Sequence, residues 1–173
     1  MKKIIIIGAV LIGFLANAQQ RHEAKLDIFD LAAFKAIDVT YQYILNEESA
    51  VGMSIFKSLA DKDNIFGYRE DFSITPFYRQ YFPMGAVENI FVEAFFAINT
   101  GIKTIDVLNG LNENIPTDFK YTNGAFGLTG GKSFISPRGF VLDIYVGLGR
   151  NLFNNEYSPN LVPRIGINAG YRF

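Results

Sequence analysis

Nine residues near the start of the chain constrain its fold more than any others. Within residues 37–45, Ile37, Val39, Tyr41, Tyr43 and Leu45 alternate with Asp38, Thr40, Gln42 and Ile44, so one parity is apolar and the other mostly polar. Successive side chains of a strand point to opposite faces, whereas a helix repeats every 3.6 residues, so this spacing predicts a strand with two unlike faces.

The pattern recurs along the chain. Val51, Met53 and Ile55 oppose Gly52, Ser54 and Phe56; Ile90, Val92, Ala94, Phe96 and Ile98 oppose Phe91, Glu93, Phe95, Ala97 and Asn99. Leu142, Ile144, Val146 and Leu148 oppose Asp143, Tyr145, Gly147 and Gly149; Ile165, Ile167, Ala169, Tyr171 and Phe173 oppose Arg164, Gly166, Asn168, Gly170 and Arg172. Residues 72–82 and 119–132 are long enough for strands but less regular, and Pro76 in the first of them predicts a local irregularity, because proline donates nothing to a ladder. Residues 26–34 carry Asp27 and Asp30 on opposite parities, which a bulge would reconcile. The expectation is an all-β fold of eight antiparallel strands in an up-and-down barrel.

The first segment reads as an address. Lys2 and Lys3 precede an uncharged apolar run over residues 4–15, which ends at Ala16-Asn17-Ala18, a small-x-small site of the kind signal peptidase cuts. Twelve apolar residues fall short of the roughly 18 that a spanning helix needs. Residues 1–18 are therefore read as a secretory signal peptide cleaved after Ala18, and residues 19–173 as one barrel domain. Without Lys2 and Lys3, 14 basic residues face 17 acidic ones. That balance gives no reason to expect a nucleic-acid partner. His22, the sole histidine, falls ahead of the first expected strand, near a new N-terminus where order is usually poor.

An antiparallel strand with one apolar face fits two opposite solutions: a soluble barrel turns that face inward, and a membrane barrel turns it to lipid and fills its interior with small and polar residues. Three features favour lipid outside. The apolar stripes run over about nine to eleven residues, the length a tilted strand needs to cross hydrocarbon. The opposing faces carry glycines such as Gly147, Gly149, Gly166 and Gly170, where a wet surface would carry Lys and Glu. Connections around residues 46–49, 83–89 and 134–139 are short, while 60–70, 101–118 and 152–162 are longer and polar, the asymmetry of outer-membrane barrels with long loops outside the cell. Both termini then lie on the periplasmic side. A soluble secreted ligand-binding barrel with the faces reversed is the competing reading.

The ending resembles the assembly signal of outer-membrane barrels, with Phe173 last and Tyr171, Ile167 and Ile165 at alternate positions before it. The whole mature chain resembles the small eight-stranded outer-membrane barrels of Gram-negative bacteria, OmpA-like and OmpX-like in shape. It is most similar to a family of such barrels whose function is uncharacterised, through residues 38–43, 132–139 and 162–173. The resemblance implies a cell outer-membrane location. It implies contact with lipid and lipopolysaccharide, and passage through periplasmic chaperones and the barrel-assembly machinery. It brings no catalytic residue, cofactor or metal ligand.

Eight strands enclose only enough room for side chains to fill. On the parity above, Asp38, Glu93 and Asp143 face inward with Arg79, Arg164 and Arg172, and an internal ion-pair network is expected, because an unpaired buried charge is costly. The expected pairs are Arg79 with Glu93, Asp143 with Arg172, and Asp38 with Arg164, with Gln42 and Asn168 as hydrogen-bonding fillers. The chain has no Cys, and with His22 alone it offers no base beside a nucleophile, so an enzyme is not expected. Gly130-Gly131-Lys132-Ser133 lacks the earlier glycine of a phosphate loop. Tyr43, Tyr81, Phe82, Phe134, Phe140, Tyr171 and Phe173 are expected in a periplasmic aromatic girdle, and Phe66, Tyr68, Phe72, Phe119, Tyr121, Phe153 and Tyr157 in an extracellular one. The functional expectation is a structural or surface-interaction role through the loops, with a narrow or laterally opening conduit for small or apolar solutes as the alternative.

Overall fold

Strands with two unlike faces leave raw hydrogen-bonding edges unless their sheet closes on itself. Here it closes. The computed structural model describes residues 21–60, 69–84, 87–108, 114–153 and 157–173. Eight strands, β1 (His22–Asp27), β2 (Ala36–Asn46), β3 (Ser49–Ser58), β4 (Arg69–Met84), β5 (Val87–Leu108), β6 (Asn114–Ile135), β7 (Phe140–Asn151) and β8 (Leu161–Arg172), form one closed antiparallel barrel. Each strand pairs with the next, and β8 returns to β1. The segment read as a signal peptide lies outside the described residues, with Ala16 and Ala18 in it.

The faces divide as the alternation demands. Val39, Met53, Phe96, Leu128, Ile144, Val146 and Ile165 are exposed on the outer wall, while Gln42, Ser54, Arg79, Glu93, Thr129, Asp143 and Asn168 are buried inside. Large rings fill the lumen where glycines make room. A Cβ on Gly149 would stand 2.8 Å from the Phe95 ring, and one on Gly131 would stand 2.5 Å from that of Phe91. Phe77, Phe95, Ala97, Ala125 and Val162 form one buried apolar cluster, and Ala50, Tyr81, Phe91 and Tyr145 a second.

Four local expectations are corrected. The first strand is residues 22–27 and not 26–34, and no bulge is needed to reconcile Asp27 with Asp30. Asp27 Oδ1 accepts the backbone N–H groups of Phe29 (2.9 Å) and Asp30 (3.0 Å), which turns the chain out of the strand into a π-helical turn, Asp30–Phe34. Lys35 ends that turn in the left-handed region at φ 52° and donates its N–H to Asp30 O. His22, instead of trailing ahead of the barrel, exchanges backbone hydrogen bonds with Phe173 and stacks on its ring at 5.8 Å.

The third correction concerns residues 101–118, which are not mainly a loop. Outside the undescribed 109–113, they continue the β5–β6 pairing from Gly101 opposite Tyr121 to Leu108 opposite Asn114. The fourth is at Pro76. The register against β5 is the same on either side of it, with Ile74 opposite Ile98 and Phe77 opposite Phe95. The proline removes a donor without shifting the strand.

Candidate functional site: the lumen

The inward parity brings charges from six strands into one enclosed space. Arg79 on β4 donates from Nε (3.1 Å) and Nη2 (3.0 Å) to Glu93 Oε2 on β5, and from Nη1 (2.7 Å) to Asp143 Oδ2 on β7. Its guanidinium lies 3.7 Å from the centre of the Phe91 ring, a cation–π contact inside the barrel. Lys25 Nζ on β1 reaches Asp143 Oδ2 (2.8 Å), Glu23 Oε2 (3.0 Å) and Gln42 Oε1 (3.1 Å). Gln42 in turn donates to the Tyr81 hydroxyl at 2.8 Å. Arg164 Nη1 bonds Glu93 Oε1 (3.1 Å), and Arg172 Nε bonds Glu23 Oε1 (2.7 Å).

The result is an unbroken alternation of base and acid: Arg172, Glu23, Lys25, Asp143, Arg79, Glu93, Arg164. β1 and β7 do not pair in the wall, so they meet only through side chains, Lys25 with Asp143 among them. Removing a member would leave its partner charged and dry, which is far more costly than losing a surface pair.

All six inward charges read from the sequence lie in the lumen, but two of the three expected pairs are not formed. Arg79 meets Glu93. Asp143 instead binds Lys25 and Arg79, and Arg172 binds Glu23. Arg164 binds Glu93, and Asp38 is left outside the network with its Oδ1 buried and without a hydrogen-bond partner. Asn168 likewise keeps a buried Oδ1 without a partner, so of the two expected fillers only Gln42 joins the network.

Sequence reasoning missed Glu23, Lys25 and Asp27. Their signal was present as an alternation one turn upstream of where a strand was sought, with Ala24 and Leu26 on the other parity. Asp27 is held by Tyr145, whose hydroxyl donates to Oδ2 at 2.8 Å, and the contact fits because the facing residue is Gly166.

No protein family, curated protein or solved structure matches the chain. The residues themselves therefore carry the functional argument.

At the end of the barrel away from the chain termini, polar side chains from β5, β6 and β7 are tied to one another and to the segment before β8. Asn99 donates to Asn151 Oδ1 (3.0 Å), Asn123 to Ser158 Oγ and Phe153 O (both 2.8 Å), and Phe119 stacks on Tyr157 at 4.4 Å. Tyr81 and Tyr121, expected in the two girdles, point inward and are buried. Phe82, Phe134, Phe140 and Tyr171 are exposed on the outer wall at the end that holds the termini, and Phe153 is exposed at the other. Phe66 and Tyr68 lie outside the described residues. Ile165 and Tyr171 are exposed on the outer face, Ile167 lies half-buried on the same parity, and Phe173 is held against His22. Among the described residues, no three His, Asp or Glu are arranged to hold a metal ion.

Proposed function

We propose that the chain is an integral outer-membrane β-barrel of OmpA-like and OmpX-like shape, with its termini on the periplasmic side, acting at the cell surface through the loops at its far end. The observation that carries this reading is the inverted polarity of the barrel. Seven charged groups are joined inside, while residues such as Val146 (64% exposed), Leu128 (56%) and Ile98 (52%) stand bare on the wall. In water that arrangement would spend its apolar surface outside and its charges inside. In lipid both choices become favourable, because hydrocarbon takes the place of a core and each of the seven joined charges has a partner in the lumen.

The outer parity of β7, Phe140, Leu142, Ile144, Val146 and Leu148, carries no charge over nine residues, enough for a tilted strand to cross the hydrocarbon. Lys132, on the same wall near the end with the termini, rests its Nζ 4.9 Å from the Phe134 ring centre, as a lysine does where it reaches from apolar surroundings to a wet rim. On this reading residues 1–18 are the signal peptide, and the row ending at Phe173 is what the assembly machinery binds.

The test is to express the full chain in a Gram-negative host and separate the envelope. The expected result is recovery in the outer-membrane fraction, extractable only with detergent and migrating differently on a denaturing gel before and after boiling. Recovery in the soluble periplasm would overturn the reading. The filled lumen favours a sealed barrel over a conduit, so planar bilayers at high protein load should show no discrete conductance steps.

A further inference from the structure

Two of the buried side-chain oxygens that lack a hydrogen-bond partner, on Asp38 and Asn168, lie on either side of Asp27 at the end of β1. β1 ends at Asp27, whose register partner on β8 is Asn168, while on the other side the last β1–β2 pair is Leu26 with Val39. Asp38, one residue beyond Val39, therefore borders Asp27 from β2 as Asn168 borders it from β8. Above this row, residues 161–166 of β8 extend past the last β1 pair, and Pro163 there has no N–H to leave unpaired.

Asp38 is 6% exposed and Asn168 is 4% exposed, yet Oδ1 of each is buried without a donor. Asp27 between them is saturated, taking the N–H groups of Phe29, Asp30 and Ile167 and the Tyr145 hydroxyl. Arg164, the cation that could serve Asp38, is bonded to Glu93 instead. Counting the network with Asp27 and Asp38, five carboxylates face four cations. A buried carboxylate oxygen and a buried amide oxygen with nothing to accept from are costly unless something positive sits between them.

We propose that Asp38 and Asn168, flanking Asp27 at the end of the β1–β8 seam, form a seat for a single monovalent alkali-metal cation. Hard cations take oxygen ligands, and carboxylate and amide oxygens are their usual donors. One uncommitted carboxylate oxygen supplies one negative charge, which matches Na⁺. Ca²⁺ sites draw on several carboxylates, and here those of Asp27 are already used, so the single charge of Asp38 fits a monovalent ion. The seat belongs to the lumen and does not depend on what surrounds the barrel.

The test uses the full chain refolded in neutral detergent, with NaCl replaced by choline chloride at constant ionic strength. A ligand bound only by the folded state raises its stability. The thermal midpoint should rise saturably with Na⁺ by a few degrees, and ²³Na NMR should show line broadening. Both effects should be lost in Asp38→Asn and weakened in Asn168→Ala. The ²³Na signal of the unaltered chain gives a reading even if Asp38→Asn fails to fold. Equal midpoints in Na⁺ and choline, a Na⁺ effect that survives in Asp38→Asn, or a response to CaCl₂ alone would overturn the proposal. Since the measurement needs no bilayer, a failed outer-membrane localisation would not be mistaken for a failed cation site.

Discussion

Arg79 on β4 and Asp143 on β7 meet across the lumen, Nη1 2.7 Å from Oδ2, although their strands stand three apart in the wall. Both side chains are almost wholly buried, and Arg79 is shared with Glu93 while Asp143 is shared with Lys25. A contact of this kind braces the barrel from inside, because backbone pairing joins only adjacent strands.

Breaking that brace on one side should be expensive. Arg79→Met leaves Asp143 and Glu93 short of a cation, and Asp143→Leu leaves Lys25 and Arg79 short of an acid. Each is expected to lower the unfolding free energy by about 3–5 kcal/mol. The double variant should lose clearly less than the sum, since neither charge is then stranded. The chain has no Trp, so urea unfolding followed by far-ultraviolet circular dichroism in detergent is the suitable measurement. Additive losses would show that the two residues do not act as a pair.

A second prediction concerns the fit of rings over glycines. Gly149→Val would put its Cβ at 2.8 Å from the Phe95 ring in the centre of an already filled lumen. Overpacking of this kind costs about 1–3 kcal/mol. The urea midpoint should fall accordingly, and Phe95→Leu in the same chain should restore part of it. No change on Gly149→Val would mean the lumen has slack at that level.

The strand count and the polarity of the faces were legible because the apolar parity is unbroken where the wall is apolar. The clue weakens where that wall ends. Above Gly101, Lys103, Thr104, Asp118 and Lys120 put polar groups on the paired strands, and the alternation that marks a strand fades although the pairing continues. The inward charges were legible for the same reason, but their partners were not. Register between distant strands decides who meets whom: Asp143 finds Lys25, 118 positions away in the chain, and no local pattern encodes that meeting. The first strand was misplaced because a side chain ends it. Asp27 looks like an irregularity in a longer strand until its carboxylate is seen accepting the N–H groups of Phe29 and Asp30.

Asp30 gives a prediction in pH. It lies in the turn between β1 and β2, where burial foremost, and then the charges of Asp27, Asp38 and Glu70, push its carboxyl up to about 8 against the opposing pull of Arg164. The folded state therefore holds this proton over a range in which the unfolded chain, with the ordinary carboxylate value of 3.8, has released it. Where the folded state binds more protons, stability falls as pH rises. The contribution is fully present below about pH 4 and is lost by the time pH passes 8. Asp30→Asn removes this dependence. The gap in thermal midpoint between variant and parent should widen in the variant's favour from pH 5 to pH 9, and a constant gap would contradict the assignment.

The last prediction separates lipid from water at the wall. Val146 is 64% exposed at the middle of the uncharged outer parity of β7 and touches no part of the ion network. If that wall faces water, Val146→Arg is an ordinary surface substitution, with an effect within about ±0.5 kcal/mol. If it faces the middle of a bilayer, the arginine must enter hydrocarbon at a cost of about 2–4 kcal/mol. Moving the same substitution to Phe140, at the end of the strand beside the turn, should cost far less, because the cost falls toward the interface. Folding each variant into lipid vesicles and measuring urea unfolding gives the depth dependence directly. A large loss at Val146 with a small one at Phe140 is the result the membrane reading requires. Equal, small losses at both positions would return the chain to the soluble class, with its apolar wall left to be covered by something other than lipid.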